Sequence, residues 1–173
     1  MAAHEQGRFW EMEEKLFANQ GKINAQNPMP DLERLAQESG LDMGRFRSAM
    51  ESHKFKAQIE EDSKYGNSVG ANGTPTFFIN GHLVAGALPF ENFKTIIDEE
   101  IKKADDLLKK GVKRDKLYER LLDEGASAAP APAGGPTPTS TAEPERKNIT
   151  VGNAPTKGPA NAPVTIVEFS DFQ

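Results

Sequence analysis

The chain has 173 residues, room for one ordinary domain or for one small domain with a tail. Its net charge is −5 with acids and bases interleaved, so no basic stripe is available to neutralise phosphates and nucleic acid is not an expected partner. It contains no cysteine, which excludes a structural disulfide, a thiolate nucleophile and any sulfur-ligated zinc site, and it has no run of about 18 apolar residues of the sort that spans a membrane.

From Ala2 to Asn19, Phe9, Met12 and Leu16, with Trp10 and Phe17, recur at helical spacing and predict an amphipathic helix. No N-cap precedes it, so the chain is expected to start inside an element. Asn27-Pro28-Met29-Pro30 interrupts helix, and a second helix is predicted from near Asp31, with Leu32, Leu35 and Ala36 inward and Gly40 past its end. Asp42 is a plausible cap for a third helix bearing Phe46, Ala49 and Met50. A fourth is predicted from about His53 to Ser68, with Phe55, Ile59 and Val69 on one face. Gly66 falls on that face, where a small residue lets a neighbour come close.

At Thr76-Phe77-Phe78-Ile79-Asn80-Gly81-His82-Leu83-Val84 the period changes, and Asn-Gly between two apolar runs predicts an antiparallel hairpin. Pro89 suits the start of the next helix, in which Phe93, Ile96, Ile97 and Ile101 form an apolar stripe opposite a face rich in lysine and acid. Gly111 interrupts it, and Leu117, Tyr118, Leu121 and Leu122 carry a short helix ending near Gly125. Residues 126–147 hold no large apolar side chain and many prolines, the composition of a semi-stiff linker. Beyond it, Val164-Thr165-Ile166-Val167-Glu168-Phe169 is a β-branched run typical of a buried strand.

Few residues invite a chemical role by themselves. His4, His53 and His82 have no partner at metal-ligand spacing, and the Glu11, Glu13, Glu14 run suits a solvated helix face, so no metal site is expected. Phe9, Trp10 and Phe17 suit a core better than a ligand patch. The glycines make no phosphate cradle, and no nucleophile elbow is present; no cofactor is expected.

Two segments nevertheless resemble one family. Gly70-Ala71-Asn72-Gly73-Thr74-Pro75-Thr76-Phe77-Phe78-Ile79-Asn80-Gly81 is similar to the cis-proline segment of the DsbA-like thiol-disulfide oxidoreductases of the thioredoxin superfamily, and Val164–Gln173 is similar to their first core strand. In that family the strand runs directly into Cys-x-x-Cys, whereas Ser170-Asp171-Phe172-Gln173 ends where the first cysteine is expected. The two matches also stand in inverted order. The resemblance therefore implies the C-terminal part of one DsbA-like domain over residues 1–125, a linker over 126–147, and the first strand region of a second domain over 148–173.

The fold so implied is an incomplete, helix-rich α/β thioredoxin-like one, with a small antiparallel sheet to which Val164–Phe169 returns against Thr76–Asn80, within one chain or in a strand-swapped homodimer. The resemblance assigns Thr74 and Pro75 to substrate binding, the threonine backbone pairing with extended or unfolded protein substrates. Exchange needs a dithiol, so no catalytic residue is assigned and the chain alone is expected to be redox-inactive. A non-catalytic thioredoxin-like module that binds peptides or partner domains is the alternative. The family further implies a periplasmic or secreted location, although the sequence shows no signal peptide.

Overall fold

In the computed structural model, residues 1–126 and 146–172 are described, and the chain divides into two compact units. One comprises Met1–Tyr65, Asn153–Thr156 and Asp171–Gln173; the other comprises Gly66–Gly152 and Lys157–Ser170.

The first unit is helical. After a 3-10 turn at His4–Gln6 come α1 (Phe9–Asn19), α2 (Met29–Glu38), α3 (Met43–Glu51) and the greater part of α4 (Lys56–Val69). Helix α2 begins two residues before the expected Asp31, with Pro28 at its cap and Pro30 in its first turn. A first-turn amide has no partner inside the helix, so a proline there costs nothing. Asp42 caps α3 by accepting from Arg45 N–H at 2.9 Å, as the sequence suggests.

Met12, Leu16, Leu35, Ala36, Leu41, Phe46 and Ala49 are buried together, with Ala2 and Ala3 closing the cluster. Phe17, expected in this core, is 38% exposed. It follows the buried Leu16 by one residue and so points about 100° round the helix from the inner stripe. Its ring finds an apolar partner in Phe172, the centroids 5.0 Å apart. The Asn153–Thr156 segment is tied to this unit by His4 Nε2, which donates to Asn153 O at 3.1 Å, and by Trp10 Nε1, which donates to Thr156 O at 3.0 Å.

The second unit is built on an antiparallel sheet ordered β2-β1-β3, with β1 at Thr76–Ile79, β2 at His82–Ala85 and β3 at Ile166–Phe169. Asn80 and Gly81 form the two-residue hairpin turn, both at positive φ (46° and 82°), the geometry that Asn-Gly supplies at least cost. On the other side of β1, Thr76 pairs with Phe169 and Ile79 with Ile166. The strand that follows the Pro-rich stretch thus joins the sheet, in the same chain.

Phe78 and Ile79 are fully buried at the centre, and Phe169 meets Phe78 edge-on at 5.8 Å. Helices α5 (Phe90–Lys109) and α6 (Leu117–Ala126) add a second cluster of Ala104, Leu107, Leu117 and Leu121. Phe93, Ile96, Ile97 and Ile101 lie on the inner side of α5 as expected but are only half-buried, and Glu100, on the same side seven residues after Phe93, is 1% exposed.

Of the expected 126–147 linker, residues 127–145 lie outside the described residues. Its last two positions are part of the second unit. Arg146 bridges to His82 on the outer edge of β2, and Lys147 N–H donates to Gly81 O at 2.9 Å. Ile149, 1% exposed, follows, and its carbonyl accepts from the Tyr118 hydroxyl at 2.9 Å.

Candidate functional site: the loop ahead of the first strand

The loop between α4 and β1 carries Thr74 and Pro75, and four features shape it. Gly70 ends α4 at φ 97°, and Ala71 N–H returns to Gly66 O at 2.8 Å, turning the chain toward the sheet. The Thr76 hydroxyl donates to Gly73 O at 2.5 Å, and Thr76 itself is 2% exposed, which anchors the end of the loop in the sheet. Gly86 N–H donates to Pro75 O at 2.9 Å and extends the β1–β2 ladder by one rung. The Thr74–Pro75 peptide bond is cis.

Thr74 is exposed and Pro75 half-buried. Because Thr76 pairs with Phe169, the loop lies at the end of the sheet from which the chain leaves β3 toward Ser170. Past Gly86, Leu88 and Phe90 are 40% and 73% exposed, two large apolar side chains within four residues of the Pro75 rung. Sequence periodicity hides them, since a residue at a helix N-terminus has no preceding turn against which to pack.

A charged group that the sequence pattern misses holds the far end of the hairpin. Arg146 is 5% exposed, pairs through both terminal nitrogens with the Glu100 carboxylate, and donates from Nη1 to Asn80 O at 2.8 Å. Lys103 adds a second cation to Glu100 at 3.2 Å. The Asn80 side chain joins the turn to the approach of β3, its Oδ1 accepting from Thr165 N–H at 2.9 Å. His82 is half-buried beside this pair; burial holds its imidazole below the usual histidine pKa, Glu100 pulls it up and Arg146 pushes it down.

Chemically, the Thr74–Pro75 loop offers backbone polar groups and neighbouring apolar surface but no titratable side chain. The chain has no cysteine. Among the described residues no three His, Asp or Glu side chains could hold a metal ion together, and no helix is long and apolar enough to cross a membrane.

The family model for the DSBA-like thioredoxin domain matches residues 1–98, and the chain belongs to that family. Among curated proteins, the chain is 37% identical over 90 residues to one from Salinispora arenicola named Na(+)/H(+) antiporter NhaA 1, a match covering 52% of this chain and 13% of that one. It is 39% identical over 90 residues to Na(+)/H(+) antiporter NhaA 3 of Salinispora tropica, with the same coverage. A protein of Mycolicibacterium gilvum, also named Na(+)/H(+) antiporter NhaA 1, is 34% identical over 82 residues, 46% of this chain and 13% of that one. The chain thus spans only a small part of the curated relatives it matches. No solved structure matches it.

Proposed function

We propose that this chain is a segment of a DsbA-like thiol-disulfide oxidoreductase that is redox-inactive alone, retaining the substrate-facing loop at Thr74 and Pro75 without the dithiol. One observation carries the proposal: a chain of this family, matched over residues 1–98, contains no cysteine. Exchange proceeds by attack of a thiolate on a disulfide sulfur and needs a second thiol to resolve the mixed disulfide. No other side chain substitutes.

The loop supports contact with an extended or unfolded polypeptide. Thr74 is exposed where an extended peptide can reach it, and Leu88 and Phe90 supply apolar surface that an unfolded segment can cover. The longer protein would act on such substrates in a periplasmic or extracellular compartment, where disulfides persist. Exchange of β3 between two copies, giving a strand-swapped homodimer, is compatible with the length of chain between α6 and β3.

A second reading is a non-catalytic peptide- or partner-binding module. It is favoured by the relatives named above, in which the matched stretch is 13% of proteins named for ion antiport.

Insulin reduction by dithiothreitol, followed by turbidity, tests the first claim: the chain should not accelerate it, and acceleration above background overturns the redox assignment. Titration of the 15N-labelled chain with a reduced and alkylated, permanently unfolded protein tests the second. Shifts should centre on Thr74, Gly86 and Leu88, and their absence at saturating probe removes the peptide site.

A further inference from the structure

The loop ahead of β1 holds an Asn-Gly pair at Asn72 and Gly73, and the hairpin turn holds another at Asn80 and Gly81. In such a pair the glycine nitrogen can attack the asparagine side-chain carbonyl carbon, because glycine has no Cβ to hinder the approach or to restrict the backbone turn it requires. The same local chemistry therefore occurs twice in second-unit backbone, and the structure treats the two copies oppositely.

Asn80 is 1% exposed. Its Oδ1 accepts from Thr165 N–H at 2.9 Å, its Nδ2 donates to Pro163 O at 3.4 Å, and its own N–H donates to Thr165 O at 2.9 Å. Gly81 is held at φ 82°, its carbonyl accepting from Lys147 N–H. The Asn80 side chain could turn onto the Gly81 nitrogen only by giving up both of its bonds. Asn72 is exposed instead, and among the described residues neither its side chain nor the Gly73 N–H has a hydrogen-bond partner. The loop is tied through other atoms: Asn72 N–H donates to Gly70 O at 3.0 Å, and the Gly73 carbonyl accepts from the Thr76 hydroxyl. Nothing lies within 4 Å of the place a Cβ on Gly73 would take. The two groups that must meet are thus the two left unbound, with open space beside them.

We propose that Asn72 is a site of spontaneous deamidation, through a cyclic imide formed with Gly73, and that the hairpin shields Asn80 from the same reaction. The Gly73 nitrogen bonds to Asn72 Cγ, the Cγ–Nδ2 bond breaks, and ammonia leaves with the proton that the Gly73 amide gives up. Water then opens the ring. Opening at Cγ leaves an aspartate; opening at the backbone carbonyl of residue 72 leaves an isoaspartyl link, in which the main chain runs through Cβ. A water is consumed, an ammonia is released, and nothing is oxidised or reduced.

Either product alters the loop. A carboxylate enters the stretch 70–75, which otherwise has no titratable side chain, two residues ahead of Thr74. The isoaspartyl link also adds a methylene to the main chain between two anchors, the Ala71 N–H bond to Gly66 O at 2.8 Å and the Thr76 hydroxyl bond to Gly73 O. Loop atoms between them must shift to take it up. Deamidation at residue 72 does not depend on whether Thr74 and Pro75 bind peptide.

The test incubates the full chain in mildly alkaline buffer at physiological temperature and maps the products by mass spectrometry. Both asparagines fall in one tryptic peptide, Tyr65–Lys94, so fragmentation within it must separate residue 72 from residue 80 and aspartate from isoaspartate. In the folded chain Asn72 should convert roughly tenfold faster or more than Asn80, while in denaturing urea the two rates should agree within about threefold, since only folded structure distinguishes them. Equal rates in the folded chain, or an Asn72 that converts only in urea, overturns the inference.

Gly73→Ala supplies the complementary measurement. The added Cβ meets nothing within 4 Å, so the variant should give a wild-type circular dichroism spectrum. By hindering ring closure it should slow conversion of Asn72 about tenfold or more and leave Asn80 unchanged. An undiminished rate, or a wild-type product at residue 72 free of isoaspartate, would mean direct hydrolysis of the side chain and overturns the cyclic route.

Discussion

The Cβ that Gly66 lacks would lie 3.0 Å from Cδ1 and 3.1 Å from Cε1 of Phe169. The last residue of β3 therefore presses its ring onto α4 at the one position in that helix with no side chain, and it also meets Phe78 edge-on at 5.8 Å. Helix propensity and packing oppose each other at this site. Alanine gains about 0.5–1 kcal/mol as a helix former and loses a similar amount if the ring must yield by a few tenths of an ångström. Gly66→Ala should therefore change stability by less than about 1 kcal/mol, whereas Gly66→Val should cost about 2–3 kcal/mol. Urea unfolding of the two variants measures the difference. Stabilisation by both would mean that the ring does not sit where the helix leaves room for it.

Gly81 is constrained differently. A Cβ there would stand 2.5 Å from Leu122 Cδ2 and 2.6 Å from the backbone oxygen of Lys147, at a φ of 82°. The leucine can rotate, but the carbonyl moves only if Arg146 and Lys147 leave the edge of β2. Gly81→Ala should cost about 3 kcal/mol or more, combining left-handed strain with displacement of that segment. Gly111→Ala is the comparison: φ is 91° and nothing lies within 4 Å, so only the backbone strain of about 1–2 kcal/mol is expected. Equal losses in the two variants would show that residues 146–147 do not pack over the turn.

What the sequence made legible follows from the range of each signal. Asn80-Gly81 encodes its turn through two residues, and Gly66 is visible because helical spacing places it on the side where a neighbour must come. The return of Val164–Phe169 to β1 was also legible, since a β-branched run needs a sheet and the family supplies the partner. Arg146 and Glu100 were not. Composition placed Arg146 at the end of a Pro-rich stretch, and nothing local records that a carboxylate 46 residues earlier awaits it. Glu100 does carry a faint signal, lying seven residues after Phe93 and four before Ala104, in phase with the buried side of α5. The pattern becomes meaningful only when a cation is supplied from elsewhere in the chain.

That pair is the costliest polar feature of the second unit to disturb. The side chains of Arg146 and Glu100 are 3% and 1% exposed, so removing either leaves the other charged and largely out of water. Glu100→Ala should destabilise by about 3–5 kcal/mol. The double variant Glu100→Leu, Arg146→Met should lose less than the sum of its single changes, because an apolar pair needs no desolvated charge. A double-mutant cycle in urea reads this directly, and additive losses would argue against a direct pair.

His82 gives the fold a dependence on pH whose sign can be worked out. Burial is the largest influence on its imidazole and lowers the pKa; Glu100 raises it, Arg146 and Lys103 lower it, and Glu99 raises it. The unfolded chain, with histidine near pH 6.5, therefore takes up the proton before the folded one. Stability is fully present above that value, falls as the pH drops through it, and levels off below the folded pKa. The urea midpoint of the wild-type chain should decrease between pH 7.5 and 5.5 by more than that of His82→Asn, in which this group cannot titrate. Parallel profiles would assign the acid sensitivity to other groups.

The pairing of β3 predicts an alternating pattern of amide exchange that separates a real ladder from simple proximity. Thr165 N–H is held by the Asn80 side chain, and the amides of Val167 and Phe169 face β1. Those of Ile166 and Glu168 face away from β1, so they should exchange much faster than their neighbours. Uniform protection along the strand would require a second strand partner, and uniform exposure would mean that β3 does not pair with β1 at all.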